Sequence, residues 1–249
     1  ENEAELEMLY TGLHHAREPM SYMNLFYYMD WLLENYGTVL EATALLDNRQ
    51  LWFIPMVNPD GLVYNEQIAP AGGGMQRKNH RETCSENNDQ NDWDGIDLNR
   101  NYSYQWAHDD EGSSPEGCAQ TYRGSEPFSE PETQAIRDFV YAHEFSIVLN
   151  YHSYGNLLIH PLGYEPGLLP PEPDISIFRA LGNEMTKHNH YHMGTGIETV
   201  GYTVNGEACD WMYGEENIYA YPPEIGTWND GFWPESERIL PLAEENLYP

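Results

Sequence analysis

Phe145-Ser146-Ile147-Val148-Leu149-Asn150-Tyr151-His152 is the stretch from which the fold can be read. Apolar and β-branched residues run through it almost unbroken, the pattern of a central strand covered on both faces by helices. Leu6 to Gly12 is a second such run, and Pro19 follows it at the start of a helical segment, where its fixed φ suits the first turn. That segment, Pro19 to Tyr36, carries Leu25, Phe26, Met29, Leu32 and Leu33 on one side. Further strands are predicted at Gln50 to Val57, Leu157 to His160 and Asn217 to Ile225. Helices are predicted from Ser129-Glu130-Pro131-Glu132, which has capping-box spacing, through His143, and from Pro173-Asp174 through about His188. Strands alternating with helices make an α/β fold: a mixed, mostly parallel twisted sheet with helices on both faces. At 249 residues and 40% hydrophobic, the chain fits one domain spanning residues 1–249. Nothing repeats internally. The Gly/Asn/Asp-rich stretch from Ala69 to Phe128 is too long for a structureless connection and reads as a functional loop region.

Both leading strands deliver metal-ligand types to one sheet edge. His15 and Glu18 lie three apart on the turn between the first strand and its helix, and His152 ends the central strand. Two imidazoles and a carboxylate form the open ligand set of a hydrolytic zinc, with the fourth position left for water or substrate. Taken alone, His-x-x-Glu is a weak signal, because a surface histidine near a helix start gives the same pattern. His14 is the nearest rival to His15.

Several further blocks carry a resemblance. Asn58-Pro59-Asp60-Gly61, Asp97-Leu98-Asn99-Arg100-Asn101, His152-Ser153-Tyr154, Tyr202 eight residues before Asp210-Trp211, and Glu224 in Tyr219-Ala220-Tyr221-Pro222-Pro223-Glu224-Ile225-Gly226 occur in the order found in one family. From about Met8 to about Pro234 the chain resembles the zinc-dependent metallocarboxypeptidases of the carboxypeptidase A, B and T type. The resemblance implies hydrolysis of the C-terminal peptide bond of peptides and proteins, by water activated at one catalytic zinc held by His15, Glu18 and His152. It assigns Glu224 as general base and then acid, and substrate contacts to Arg17, Asn99, Arg100, Tyr154 and the mobile Tyr202. These residue types suit those tasks. A guanidinium forks two hydrogen bonds onto a terminal carboxylate, an amide adds a third donor, and a tyrosine on a Gly-rich loop can close over the substrate.

One departure stands out. The family's Arg-Lys-x-Arg appears here as Arg77-Lys78-Asn79-His80-Arg81, so the second arginine arrives one residue late. Arg81 is the expected oxyanion donor, with Arg77 subsidiary. The resemblance also pairs Cys84 with Cys118, implying an oxidising, extracellular setting, and leaves Cys209 as a free thiol near the base of the side-chain pocket. The pocket segment Thr203 to Cys209 implies broad specificity. Cys209 suits hydrophobic C-terminal residues, and Glu207 reaches Lys or Arg unless it serves only the N-terminal dipole of a helix. Relatives carry extra strands before the metal motif and a longer final helix, so a sheet lacking N-terminal edge strands is expected.

Forty-one acidic against eleven basic residues give a net charge of −30. Nucleic acid is excluded as a partner because phosphates are bound by Lys and Arg, and anionic membranes are disfavoured for the same reason. The opening Glu1-Asn2-Glu3-Ala4-Glu5 is no signal peptide, and the chain reads as a soluble, already trimmed, secreted monomer. Asn87 to Asp97 is oxygen-rich like a Ca2+ loop, but with Gly95 as position six Gln90 falls first and Asn101 at the bidentate place, so a solvated acidic turn is expected instead. Two other readings compete: an amidohydrolase or deacylase on the same scaffold, and an inactive metal-binding module. Acidic residues are spread along the chain, which reads as a salt-adapted surface. Like charges repel over about 8 Å at physiological ionic strength and about 3 Å at 1 M salt. The thermal unfolding midpoint is therefore expected to rise between those conditions; a flat or falling midpoint would mark an ordinary acidic enzyme.

Overall fold

Three strands that end at one edge explain the site, and the rest of the chain covers them. The structure is a computed structural model describing residues 5–84 and 93–247. Its elements run β1 (Leu6–Gly12), α1 (Pro19–Asn35), α2 (Leu40–Asn48), β2 (Arg49–Ile54), α3 (Pro59–Ile68), a 3-10 turn (Leu98–Arg100), α4 (Pro131–Tyr141), β3 (Phe145–Tyr151), β4 (Leu157–Ile159), α5 (Asp174–Met185), β5 (His192–Gly194), α6 (Gly196–Thr199), α7 (Ala208–Gly214), β6 (Tyr219–Tyr221), β7 (Pro223–Glu224) and α8 (Ser236–Glu244). The two apolar runs that opened the sequence reading are β1 and β3.

Strands β2-β1-β3-β6 form a parallel sheet, and β5-β4-β7 a second in which only β4 and β7 are antiparallel. The expected last strand, Asn217 to Ile225, is divided between the two. Pro222 and Pro223 carry no N–H to donate, so the β3–β6 ladder stops at Tyr221 and the two prolines pair only through their carbonyl oxygens, which accept from Ile159 N and His152 N. The sheets stay joined where His152 pairs with Glu224: His152 N donates to Pro223 O at 2.8 Å and Ile225 N donates to His152 O at 2.9 Å. Strand β2 likewise stops before Pro55, short of the expected Val57.

Alternation puts neighbouring strand residues on opposite faces. Leu9, Val148 and Ala220 pack with Leu98, Tyr102, Ile136, Val140 and Trp211 on one face, while Tyr10, Leu149 and Tyr221 pack with Leu25, Tyr28 and Phe178 on the other. Helices therefore cover both faces, as expected. The capping box does not form at Ser129: Glu130 is the N-cap of α4 and the Ser129 hydroxyl donates to its carboxylate at 2.8 Å, whereas Thr195 and Glu198 make a capping box at α6. Cys84 and Cys118 are disulfide-bonded with Cα atoms 4.8 Å apart, and Cys209 is a buried free thiol. No described helix is long and apolar enough to cross a membrane. Residues 87–92 of the oxygen-rich loop lie outside the described residues.

Candidate active site

The turn after β1 is closed by short local bonds. Glu18 N donates to His15 O at 3.1 Å, the Ser21 hydroxyl donates to Glu18 O at 2.6 Å and accepts from Leu13 N at 2.9 Å, and Pro19 opens α1. His15 and Glu18 are thereby aimed at the end of β3, where His152 is pinned by its bridge to Glu224. His15 Nδ1 lies 2.9 Å from Glu18 Oε1, His152 Nδ1 lies 2.8 Å from Glu18 Oε2, and the two Nδ1 atoms are 3.2 Å apart. The other nitrogen of His15, Nε2, sits 3.1 Å from Asp97 Oδ1. With Nε2 donating to Asp97, Nδ1 presents a lone pair towards the Glu18 carboxylate. Electron-rich atoms converging this closely fit a cation between them. Tetrahedral zinc with bonds of about 2.0–2.1 Å spaces its ligand atoms by roughly 3.3 Å, close to what is found here. Among the described residues this is the group of His, Cys, Asp and Glu side chains close enough to hold a metal. His14 is not part of it; its Nε2 bonds the Tyr102 hydroxyl at 2.8 Å.

Burial alone would raise Glu18, but the His15 and His152 rings, when protonated, outweigh it and hold the carboxylate well below its usual range. Burial opposes ionisation of Asp97 too, and Arg77, Arg100 and His15 overcome it.

A cavity of about 560 Å³ opens beside His15, Glu18 and His152. Arg77 lines it, buried, with Nε and Nη2 on Asp97 Oδ2 at 2.9 and 2.8 Å and Nη1 3.3 Å from His15 Nδ1. Arg81 does not. Its side chain is 55% exposed and bonds Glu130 at 2.7 Å, outside the cavity lining, which reverses the expected order of the two arginines. The reason is local: residues 76–79 are buried and the chain emerges at exposed His80, so Arg81 is already on the surface.

Asn99 and Arg100 sit on the 3-10 turn, which Asp97 caps by accepting from Asn99 N at 3.1 Å. Asn99 Oδ1 accepts from Ala208 N at 3.0 Å, so its amino group is the part left for a ligand. Arg100 is braced by Gly112 O at 3.0 Å and Asn99 O at 2.8 Å. Glu224 lines the same cavity as Glu18 and is partly open to solvent; burial, then the Glu18 charge, push it up to about 8. Tyr202 lies exposed at the mouth. Arg17 stacks on Phe232 at 4.3 Å, and Tyr154 packs against Phe232 and Trp228 at 4.9 and 5.0 Å.

Glu207, the N-cap residue of α7, is buried in the lining, and burial raises its pKa. Asp210 is raised as well, by burial and then by Glu207. Cys209 is misplaced by the sequence reading: it is buried in the core with Leu9, Val148 and Trp211, away from the cavity. The sequence reading missed Trp228 and Phe232. Their signal was proximity, since both follow Glu224 on the same loop.

The sequence matches the zinc carboxypeptidase family over residues 1–249. It is 30% identical to human mast cell carboxypeptidase A over 240 residues, 94% of this chain and 54% of that protein. It is 31% identical to carboxypeptidase B of Astacus astacus, covering 94% of this chain and 75% of that one. The crystal structure of thrombin activatable fibrinolysis inhibitor superposes with a TM-score of 0.84 at 29% identity, over 99% of this chain and 61% of that one. The chain thus spans about half the length of the human relative. With the metal-ligand cluster, the cavity and the fold in agreement with these matches, the chain belongs to the zinc carboxypeptidase family.

Proposed function

We propose that the protein is a zinc-dependent exopeptidase that hydrolyses the C-terminal peptide bond of peptides and proteins, with residues 1–249 as its catalytic domain. The observation that carries this reading is a buried Asn99–Arg100 pair in the same cavity as the three metal ligands and Glu224. A guanidinium and an amide together suit a terminal carboxylate, and a chain end held there puts its last peptide bond beside the metal cluster. Zinc in such a ligand set supplies Lewis-acid polarisation of a carbonyl and lowers the pKa of water towards neutrality.

The chain's own residues do the rest. Glu224 takes the proton of the attacking water and returns it to the leaving amine. Arg77, already braced by Asp97, donates to the oxygen that gains negative charge, and Tyr202 closes the mouth against solvent. Glu207 selects Lys or Arg at the terminal position and the apolar wall at Val204 and Ile159 accepts hydrophobic residues, which gives broad specificity. The disulfide supports secretion into an oxidising compartment. The excess of acidic side chains supports a salt-adapted monomer that binds neither nucleic acid nor membranes.

His152→Ala is expected to lose stoichiometric zinc, and Asp97→Asn to weaken it about 10–100-fold by releasing the His15 ring. Zinc competition with a chelator measures both; a His152→Ala chain that still retains one tight zinc would remove His152 from the ligand set.

Glu224→Gln should keep zinc and substrate affinity yet lose turnover by at least roughly 10²–10⁴-fold, the usual share of general acid–base catalysis. Near-normal turnover of a blocked dipeptide would end the role given to Glu224.

Peptides with an amidated C-terminus should be ignored; equal cleavage of free and amidated forms would favour the amidohydrolase reading. For Glu207→Gln, the ratio of kcat/KM between C-terminal Arg and Leu peptides is expected to fall. An unchanged ratio would leave Glu207 a structural acid paired with Asp210.

A further inference from the structure

Lys78, next to Arg77, is completely buried. Its ammonium donates to the main-chain oxygens of Trp93, of Gly117 at 3.0 Å and of Ala119 at 2.9 Å. An ammonium has three protons to give, and all three are used. No carboxylate is among these partners, and burial pushes the group down to about 8. Carbonyl oxygens converging from separate loops are what a protein offers a bound cation. Here the chain supplies the cation itself.

The main chain around Lys78 is fastened equally closely. Asn79 N donates to Ile96 O at 3.0 Å, Ile96 N to Asn79 Oδ1 at 2.7 Å, and Gln76 Nε2 to Lys78 O at 3.2 Å and Asp94 O at 2.9 Å. At Gly95, with φ +100°, a Cβ would stand 1.9 Å from Asn79 O, so the two segments meet as closely as backbone allows. One of these segments carries Arg77 and the other Asp97.

We propose that Lys78 is a positioning residue, an internal cation whose grip on the carbonyl oxygens of Trp93, Gly117 and Ala119 seats residues 76–79 so that Gln76 and Asn79 can bond residues 94–96, and so fixes Arg77 on Asp97 beside the metal ligands. The catalytic half of this inference rests on the exopeptidase reading given above; the structural half does not.

The test uses Lys78→Met, Lys78→Ala and Arg77→Ala in the zinc-loaded enzyme, with hydrolysis of a blocked dipeptide and amide hydrogen exchange as separate readouts. Loss of one oxyanion donor lowers kcat by roughly 10²–10³-fold, and the Lys78 variants should approach that loss with KM little changed. The Lys78→Ala, Arg77→Ala double variant should be no slower than Arg77→Ala. The n-propylammonium ion replaces what Lys78→Ala removes and should restore kcat about tenfold or more, whereas tetramethylammonium at equal ionic strength, having no N–H, should not. Exchange at the Asn79 and Asp97 amides should quicken in Lys78→Met while Leu9 and Val148 stay protected. Wild-type kcat and unchanged exchange in Lys78→Met would overturn the proposal, as would equal rescue by the two ammonium ions. If Arg77→Ala kept full turnover while the Asn79 and Asp97 amides still loosened in Lys78→Met, the clamp would stand and the role given to Arg77 would fall.

Discussion

The site depends on one buried carboxylate, that of Asp97. Its Oδ1 meets His15 Nε2 and Asn99 N, both at 3.1 Å, and its Oδ2 meets the Arg77 guanidinium at 2.8 and 2.9 Å, with Arg100 Nη1 3.9 Å away. A single side chain therefore orients His15, braces Arg77 beside the candidate metal cluster, and caps the turn that carries Asn99 and Arg100. Taking a carboxylate out of water costs several kcal/mol unless its lone pairs are satisfied. Here the ionised form is favoured by two guanidinium groups, an imidazole and a backbone N–H, so the charge persists where burial alone would neutralise it. The surroundings are fastened in the same way. Each partner is held elsewhere too, Arg100 by Gly112 O and Asn99 by Ala208 N.

The sheet sets where these groups meet. Parallel strands β1 and β3 end side by side, and loops outside the carboxyl ends of such strands are where open α/β sheets place their sites. The Pro222-Pro223 break is part of that arrangement. By ending β6, it lets β7 turn to pair with β4 while still bridging His152, which puts Glu224 in the lining of the cavity instead of continuing a central strand.

How much of this was legible in the sequence follows from what kind of pattern each part leaves. The convergence of His15, Glu18 and His152 was legible because they follow long apolar runs, and burial on both faces writes itself into composition. Arg77 and Arg81 were ranked wrongly because a loop has no period to fix its register; only the inward turn of residues 76–79 around the Lys78 ammonium decides which arginine faces the cavity. Cys209 failed for a geometric reason. It lies two residues after Glu207 at the start of α7, and two steps on a helix turn a side chain roughly 200°, so Glu207 on the cavity leaves Cys209 in the core. Helices α2 and α8 left little trace, the first following an uncapped Val39 and the second containing Pro241.

Charge adds a last constraint. Of eleven basic residues, Arg17, Arg77 and Arg100 line one cavity, on a chain with forty-one acidic ones. On the exopeptidase reading proposed above, a peptide carboxylate seeking Arg100 would approach through a field that repels it and be captured only at short range. The two interactions respond differently to salt. Repulsion between exposed charges is screened beyond about 8 Å at physiological ionic strength and beyond about 3 Å at 1 M, while buried pairs such as Arg77 with Asp97 are screened far less. On that reading salt would relieve the acidic surface and ease the carboxylate's approach without loosening the clamp that receives it, so one surface composition would couple stability and substrate encounter to the same variable.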